Sequence, residues 1–243
     1  IEQGGTHYYF DSPFGKIKTL KSVTIGDSVT AIGVGLFNEC RNLTCAIIGN
    51  NVKKINTDAF NRCDSLTNIS IPNSVTTIGD CVFEYCCSIT DITIPNSVEK
   101  IGHTVFSNCT SLKYVKIEDS KTYLTGDDYG WQFGNCPIEE LYLGRNTMDM
   151  GIYLNSIKSL TVGSHVTKIV AYENFDSSLE TIILMCSTPP AIAQRYFQSS
   201  NYVNSVVYVP QGTLADYQVA NVWKDFWDIQ EYYLDKKFCI NYF

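Results

Sequence analysis

The side chains best placed to do chemistry in this 243-residue chain are ten cysteines, three histidines and adjacent acid pairs such as Asp127-Asp128 and Glu139-Glu140. Five of the cysteines, Cys40, Cys63, Cys86, Cys109 and Cys136, each follow a phenylalanine by three residues. A zinc site needs four ligands gathered round one point, usually with a C-x-x-C pair. There is no such pair, and the regular spacing strings the thiols along a line. Cys45, Cys81, Cys87, Cys186 and Cys239 lie outside the series and have no obvious partner. His7, His103 and His165 are scattered, and His103 follows Gly102 in what reads as an exposed turn. No Ser-His-Asp order, nucleophile elbow or phosphate loop is present. Gly4-Gly5 and Gly33-Val34-Gly35 lack the strand-turn-helix setting that such loops require. Asp127-Asp128 and Glu139-Glu140 are sequence neighbours and so point to opposite faces of a strand, whereas a glycosidase needs two carboxylates across one gap. No catalytic site, metal set or cofactor is expected.

What positions these residues is a repeat. Phe37, Phe60, Phe83 and Phe106 are each 23 residues apart, and so are Cys40, Cys63, Cys86 and Cys109. Ile32, Ile55, Ile78 and Ile101 keep the same step, as do Val29, Val52, Val75 and Val98, and Leu43, Leu66, Ile89 and Leu112. A column at Ile25, Ile48, Ile71, Ile94 and Ile117 is longer still. Several columns in register identify stacked coils. The unit opens on I-x-I, an alternation that gives a short strand with one buried face. Pro72 and Pro95 end that strand, where a missing N–H should matter least. Gly33, Gly79 and Gly102 are expected at positive φ in the following corner. The stretch from there to the cysteine, such as 80–86, suits a short helical or 3₁₀ return. The expected fold class is an α/β repeat solenoid with one short parallel strand per coil. One coil cannot stand alone, because ordering the backbone costs about 1–2 kcal/mol per residue and only stacked neighbours bury its apolar edges.

Residues 23–117 hold the regular coils, and 1–22, with Tyr8, Tyr9, Phe10 and Phe14, form an N-terminal cap. Residues 118–185 read as degenerate repeats, with an inserted loop near 118–130 carrying Asp119, Asp127 and Asp128, because Phe133 comes 27 residues after Phe106. Further strands are expected at Leu141-Tyr142-Leu143, Leu160-Thr161-Val162, Ile182-Ile183-Leu184 and Val207-Tyr208-Val209. Residues 186–243 contain that last strand and a C-terminal cap. In it, Thr213 is the N-cap of a short helix, and Trp223, Phe226, Trp227 and Ile229 form a hydrophobic plug. All of this is one continuous solenoid domain. In such an array Cys40, Cys63, Cys86, Cys109 and Cys136 become a buried thiol column packed as small apolar groups. Equivalent residues about 5 Å apart would also allow a disulfide.

Net charge is −7, from 18 basic and 25 acidic residues, which excludes a nucleic-acid backbone as main partner. No apolar run approaches the roughly 18–20 residues of a membrane-spanning helix. The chain starts at Ile1 with no initiator Met, and an upstream segment such as an export signal is expected. Outward strand positions across the array are mostly small hydroxyl or amide residues. The richer patch is Tyr114, Lys116, Glu140 and Tyr142, with Asp91 and Thr93 beside it. Two aromatics and both charge signs meet there, the chemistry of interface anchors.

The unit Ile71-Pro72-Asn73-Ser74-Val75, followed by Ile78-Gly79, Phe83 and Cys86, resembles the BspA-like leucine-rich repeat of bacterial surface proteins. The ending Val207-Tyr208-Val209-Pro210, with Gly212-Thr213-Leu214, Tyr217, Trp223 and Phe226, is similar to that of Bacteroides-type members. The resemblance implies a non-enzymatic, exported, cell-surface or extracellular protein. Its implied partner is an extracellular protein of the host matrix type, such as fibronectin or fibrinogen, or a glycan. It carries over no catalytic residue. A structural spacer without a ligand of its own is the alternative.

Overall fold

The computed structural model describes residues 12–15, 17–126, 132–148, 155–170, 174–192 and 196–233. Successive coils stack in parallel, and their first strands build one long face. It comprises Ser22–Ile25, Cys45–Ile48 and Asn68–Ile69 in one sheet. Asp91–Ile94, Tyr114–Ile117, Glu140–Leu143, Ser159–Val162, Thr181–Leu184, Val206–Pro210 and Asp228–Tyr232 form a second. The expected strands all appear there, and Asp228–Tyr232 extends the sheet beyond them. Each regular coil also carries a second, two-residue strand where a plain corner was expected. Ala31–Ile32, Lys54–Ile55, Thr77–Ile78, Lys100–Ile101, Leu124–Thr125 and Thr147–Met148 make a six-stranded parallel sheet.

The return carrying F-x-x-C is not the helical or 3₁₀ segment expected from sequence. Residues four apart are left-handed, at Gly35 and Glu39, Asp58 and Arg62, and Cys81 and Tyr85. Every second amide of the return points along the solenoid axis. Phe37 N–H donates to Ala59 O at 2.8 Å and Glu39 N–H to Asn61 O at 2.8 Å, and the next coils repeat both bonds. The return is therefore a backbone ladder of its own. From Gly35 to Tyr85 every axial amide has a carbonyl partner in the next coil, which offsets the cost of left-handed non-glycine residues.

Gly79 and Gly102 do not have positive φ, nor does Gly33. At the first two the reason for glycine is close approach. A Cβ on Gly79 would sit 2.6 Å from Thr57 N, and one on Gly102 2.6 Å from Asp80 N.

Inside, the phenylalanines stack along the axis at 5.1–5.6 Å between ring centroids. Phe14, expected only as edge cover, is the first ring of this column and Phe133 the last. The thiols do more than fill space. Cys63, Cys86, Cys109 and Cys136 donate to the carbonyls of Phe37, Phe60, Phe83 and Phe106 at 2.9–3.3 Å. A side chain with no donor there would leave that buried carbonyl one partner short. All nine cysteines among the described residues are free thiols, and Cys239 lies outside those residues.

The insertion falls later than expected. Leu124 keeps the 23-residue step after Ile101, is fully buried and lies in the second sheet, so the coil stays regular through Thr125. The extra residues fall between 126 and 132. Asp127 and Asp128 lie outside the described residues, as do His7, Tyr8, Tyr9 and Phe10 of the expected N-terminal cap.

At the C-terminal end, Trp223 and Phe226 are buried, and Trp223 Nε1 donates to Pro190 O at 2.8 Å. Trp227, assigned to the plug from sequence, is instead 86% exposed. Phe226 points inward just before the Asp228–Tyr232 strand, and its neighbour turns out. Thr213 does precede the Leu214–Val219 helix, but its hydroxyl donates to Pro210 O at 2.7 Å. The free amides of Gly212 and Leu214 are taken by Glu231 Oε1, at 2.8 and 3.2 Å. The Ser199–Asn204 helix was not anticipated.

Candidate functional site on the sheet face

Parallel pairing places the sequence-selected residues on adjacent strands in strict register. Asp91 lies beside Tyr114 and Thr93 beside Lys116. Tyr114 lies beside Glu140 and Lys116 beside Tyr142. All six are partly or fully exposed, while the intervening Ile92, Val115 and Leu141 are buried. The alternation that makes the strands thus makes the face.

Tyr142 organises the patch. Its hydroxyl donates to Asp119 Oδ2 at 2.5 Å, one coil back, and lies 3.9 Å from Met185 Sδ, two coils on. The ring therefore spans the Ser159–Val162 strand, which explains why Thr161, an outward position, is only 6% exposed. Burial, followed by the Asp119 carboxylate, pushes the Tyr142 phenol well above its ordinary value, so it remains a neutral donor. Lys116 Nζ stands 5.7 Å from the ring centroid, within cation–π range. Gly144 and Gly163 make room at the strand ends. A Cβ on Gly163 would meet Gly144 Cα at 2.8 Å and the Tyr142 hydroxyl at 3.2 Å, besides the Asp119 carboxylate. His165 Nδ1 approaches Asp119 Oδ1 to 4.0 Å.

A charged row flanks the patch. Glu139 Oε1 and Oε2 each accept from a lysine at 2.8 Å, Lys113 on one side and Lys158 on the other. The two ammonium groups lower its carboxyl to about 2. In the same row one coil before Lys113, Thr90 Oγ1 donates to Asp91 Oδ2 at 2.8 Å.

Sequence reasoning found the strand positions but missed Asp119, His165, Met185 and the Glu139 pair of bridges. The bridges had a signal. Lys113, Glu139, Lys158 and Glu180 each stand just before a strand and alternate in sign. Asp119 and His165 had none, because their positions depend on how strand ends stack.

Another corner brings together residue types associated with catalysis. Cys81 Sγ and His103 Nδ1 lie 3.1 and 3.3 Å from Thr104 Oγ1, and His103 Nε2 lies 3.5 Å from Asp80 Oδ2. Cys81 is 4% exposed, and burial pushes its thiol up to about 12, so it is protonated at neutral pH and unsuited to attack. Asp80 Oδ1 also accepts from the His103 amide at 3.1 Å, and the group joins two coils. Among the described residues no group of three or more His, Cys, Asp or Glu side chains is placed to hold a metal ion. Nor is any helix among them long and apolar enough to cross a membrane.

The profile of the BspA type leucine rich repeat region matches residues 10–136 and 82–204, in six copies. Solved structures of similar fold include a leucine rich cell surface protein from Faecalibacterium prausnitzii. It is 18% identical, with 90% of this chain and 81% of that one covered and a TM-score of 0.46. A leucine rich repeat protein of T. pallidum is 16% identical, covering 84% and 80%, with a TM-score of 0.47. A leucine-rich repeat protein from Bacteroides ovatus is 20% identical, covering 87% and 69%, with a TM-score of 0.40. No curated protein sequence matches the chain. With its 23-residue coils, its Phe and Cys columns and the profile match over most of its length, the chain belongs to the BspA-type leucine-rich repeat family.

Proposed function

We propose that the chain is a non-enzymatic, exported binding module that presents its strand face to an extracellular protein or glycan. The observation that carries this reading is the patch of Tyr114, Lys116, Glu140 and Tyr142, flanked by Asp91 and Thr93. Its Tyr142 ring is oriented before any partner arrives, by the hydrogen bond to Asp119. A preordered aromatic anchor loses little entropy on binding. Extended solenoid faces are the surfaces that repeat proteins use for recognition. Cell-surface display is supported by family membership. The test is binding of the purified chain to immobilised fibronectin, fibrinogen, mucin and a glycan panel, beside a Tyr114/Lys116/Glu140/Tyr142 quadruple alanine variant. Saturable binding lost in the variant is expected. Equal binding by both proteins removes the patch, and no binding by either favours a spacer.

A further inference from the structure

The strand face is interrupted at one place, and the sequence explains why. Asn68–Ile69 pairs with Cys45–Ile48 through two positions only, and no strand among the described residues pairs with its other side. In neighbouring coils the carbonyl before the strand accepts two amides from the next coil. Thr44 O takes Thr67 and Asn68, and Thr90 O takes Lys113 and Tyr114. Thr67 O, at the equivalent place, receives neither Thr90 nor Asp91 among the described residues. At the other end of the strand, Glu118 N–H donates to Ile94 O at 3.0 Å. One and two coils earlier that donor position is Pro95 and Pro72, which have no N–H to give. The prolines, read from sequence as harmless strand ends, therefore unfasten the face. Behind it the coils stay fastened, since Thr77 and Ile78 pair with Lys100 and Ile101 and Phe83 stacks on Phe106 at 5.3 Å.

A cleft of about 810 Å³ lies over this seam, a size usual for small-molecule sites. Its wall carries Asn68, Ser70, Asn73, Thr90 and Asp91, with Ile47, 57% exposed, on one side. No lysine, arginine or histidine lines it. Neutral amides and hydroxyls both donate and accept, one carboxylate accepts, and an isolated apolar side chain offers a surface for C–H groups. An anionic ligand would face Asp91 without a compensating cation.

We infer that this seam is a binding site for a neutral oligosaccharide. It rests on the reading of the chain as a binding module; it shares only Asp91 with the tyrosine patch, and variants that leave Asp91 in place separate the two. The experiment titrates the purified chain calorimetrically with neutral linear hexose oligosaccharides and with sialylated and sulfated ones. The variants are Asn68→Ala, Ser70→Trp (which fills the cleft from an exposed position) and a Tyr114→Ala/Tyr142→Ala double variant, with folding checked by circular dichroism. Binding of a neutral oligosaccharide, weakened at least about tenfold by Asn68→Ala and by Ser70→Trp but unchanged in the tyrosine variant, is expected. Absence of neutral-sugar binding, preference for charged sugars, or indifference to both cleft variants would each overturn the inference. Loss only in the tyrosine variant would move sugar binding to the patch and leave the seam without a ligand.

Discussion

The phenylalanine column should hold the array together, and truncating one inner ring tests this. Phe83 is fully buried and stacked on both sides, 5.6 Å from Phe60 and 5.3 Å from Phe106, with interplanar angles of 10° and 13°. Replacing a buried phenylalanine by alanine costs about 3–5 kcal/mol, of which each aromatic pair contributes about 0.5–1.5 kcal/mol. In a domain of this size 1 kcal/mol moves Tm by roughly 2–4 °C, so Phe83→Ala should lower Tm by on the order of 10 °C. Phe14 is half-buried and, among the described residues, stacked only on Phe37, at 5.3 Å. Phe14→Ala should therefore cost less than half as much. The assay is thermal and urea unfolding by circular dichroism, with fluorescence of buried Trp223 reporting the far end of the solenoid. Because the Phe83 ring stacks on a ring in each flanking coil, Phe83→Ala weakens both flanking interfaces, whereas Phe14→Ala loosens one end. Equal shifts for the two variants would refute the argument that stacking between coils carries the stability.

Thiol chemistry gives a second test. In a Cys239→Ser background only the half-buried Cys45 and Cys87 should react quickly with an aromatic disulfide reagent. Burial raises Cys40 to about 11 and Cys81 to about 12, and all nine described thiols should react after unfolding. Fast reaction of the ladder cysteines in the folded protein would contradict their burial. Pro95→Thr should supply the missing donor to Ile71 O. The gain of about 0.5–1.5 kcal/mol per hydrogen bond is offset by the roughly 0.4–1 kcal/mol lost as the unfolded chain becomes freer. The readout is therefore local, a protected amide at position 95 and slower exchange at Asp91 and Thr93 with little change in Tm. Unchanged exchange would detach the prolines from the seam. Glu139→Gln should flatten the acid limb of stability. The carboxyl lies at about 2 in the folded chain against an ordinary 4.5, so its contribution is present above about 4.5 and lost as pH falls towards 2. The difference between variant and parent should shrink in high salt. A difference that persists below pH 2 would assign the effect to something other than ionisation.

The sequence alone determined the coil, its period and its inward face, because each coil makes the same contacts with its neighbours and so writes the same residue types at the same step. Phe37, Cys40 and Ile32 recur for that reason, and outward positions such as Tyr114 and Tyr142 follow from alternation. Tertiary structure decided what happens between coils. Whether a glycine serves a turn or a close approach, as at Gly79 and Gly102, depends on the backbone of the coil beside it. The Cys63 thiol looks like a small apolar group until the Phe37 carbonyl is seen above it. Pro72 and Pro95 look like strand ends until the amide at Glu118 shows which bond they lack. The tether of Tyr142 to Asp119 spans 23 residues of chain, and its partner is chosen by the stacking of strand ends. That last pairing joins single residues and does not recur from coil to coil, so it leaves no period for a sequence to display.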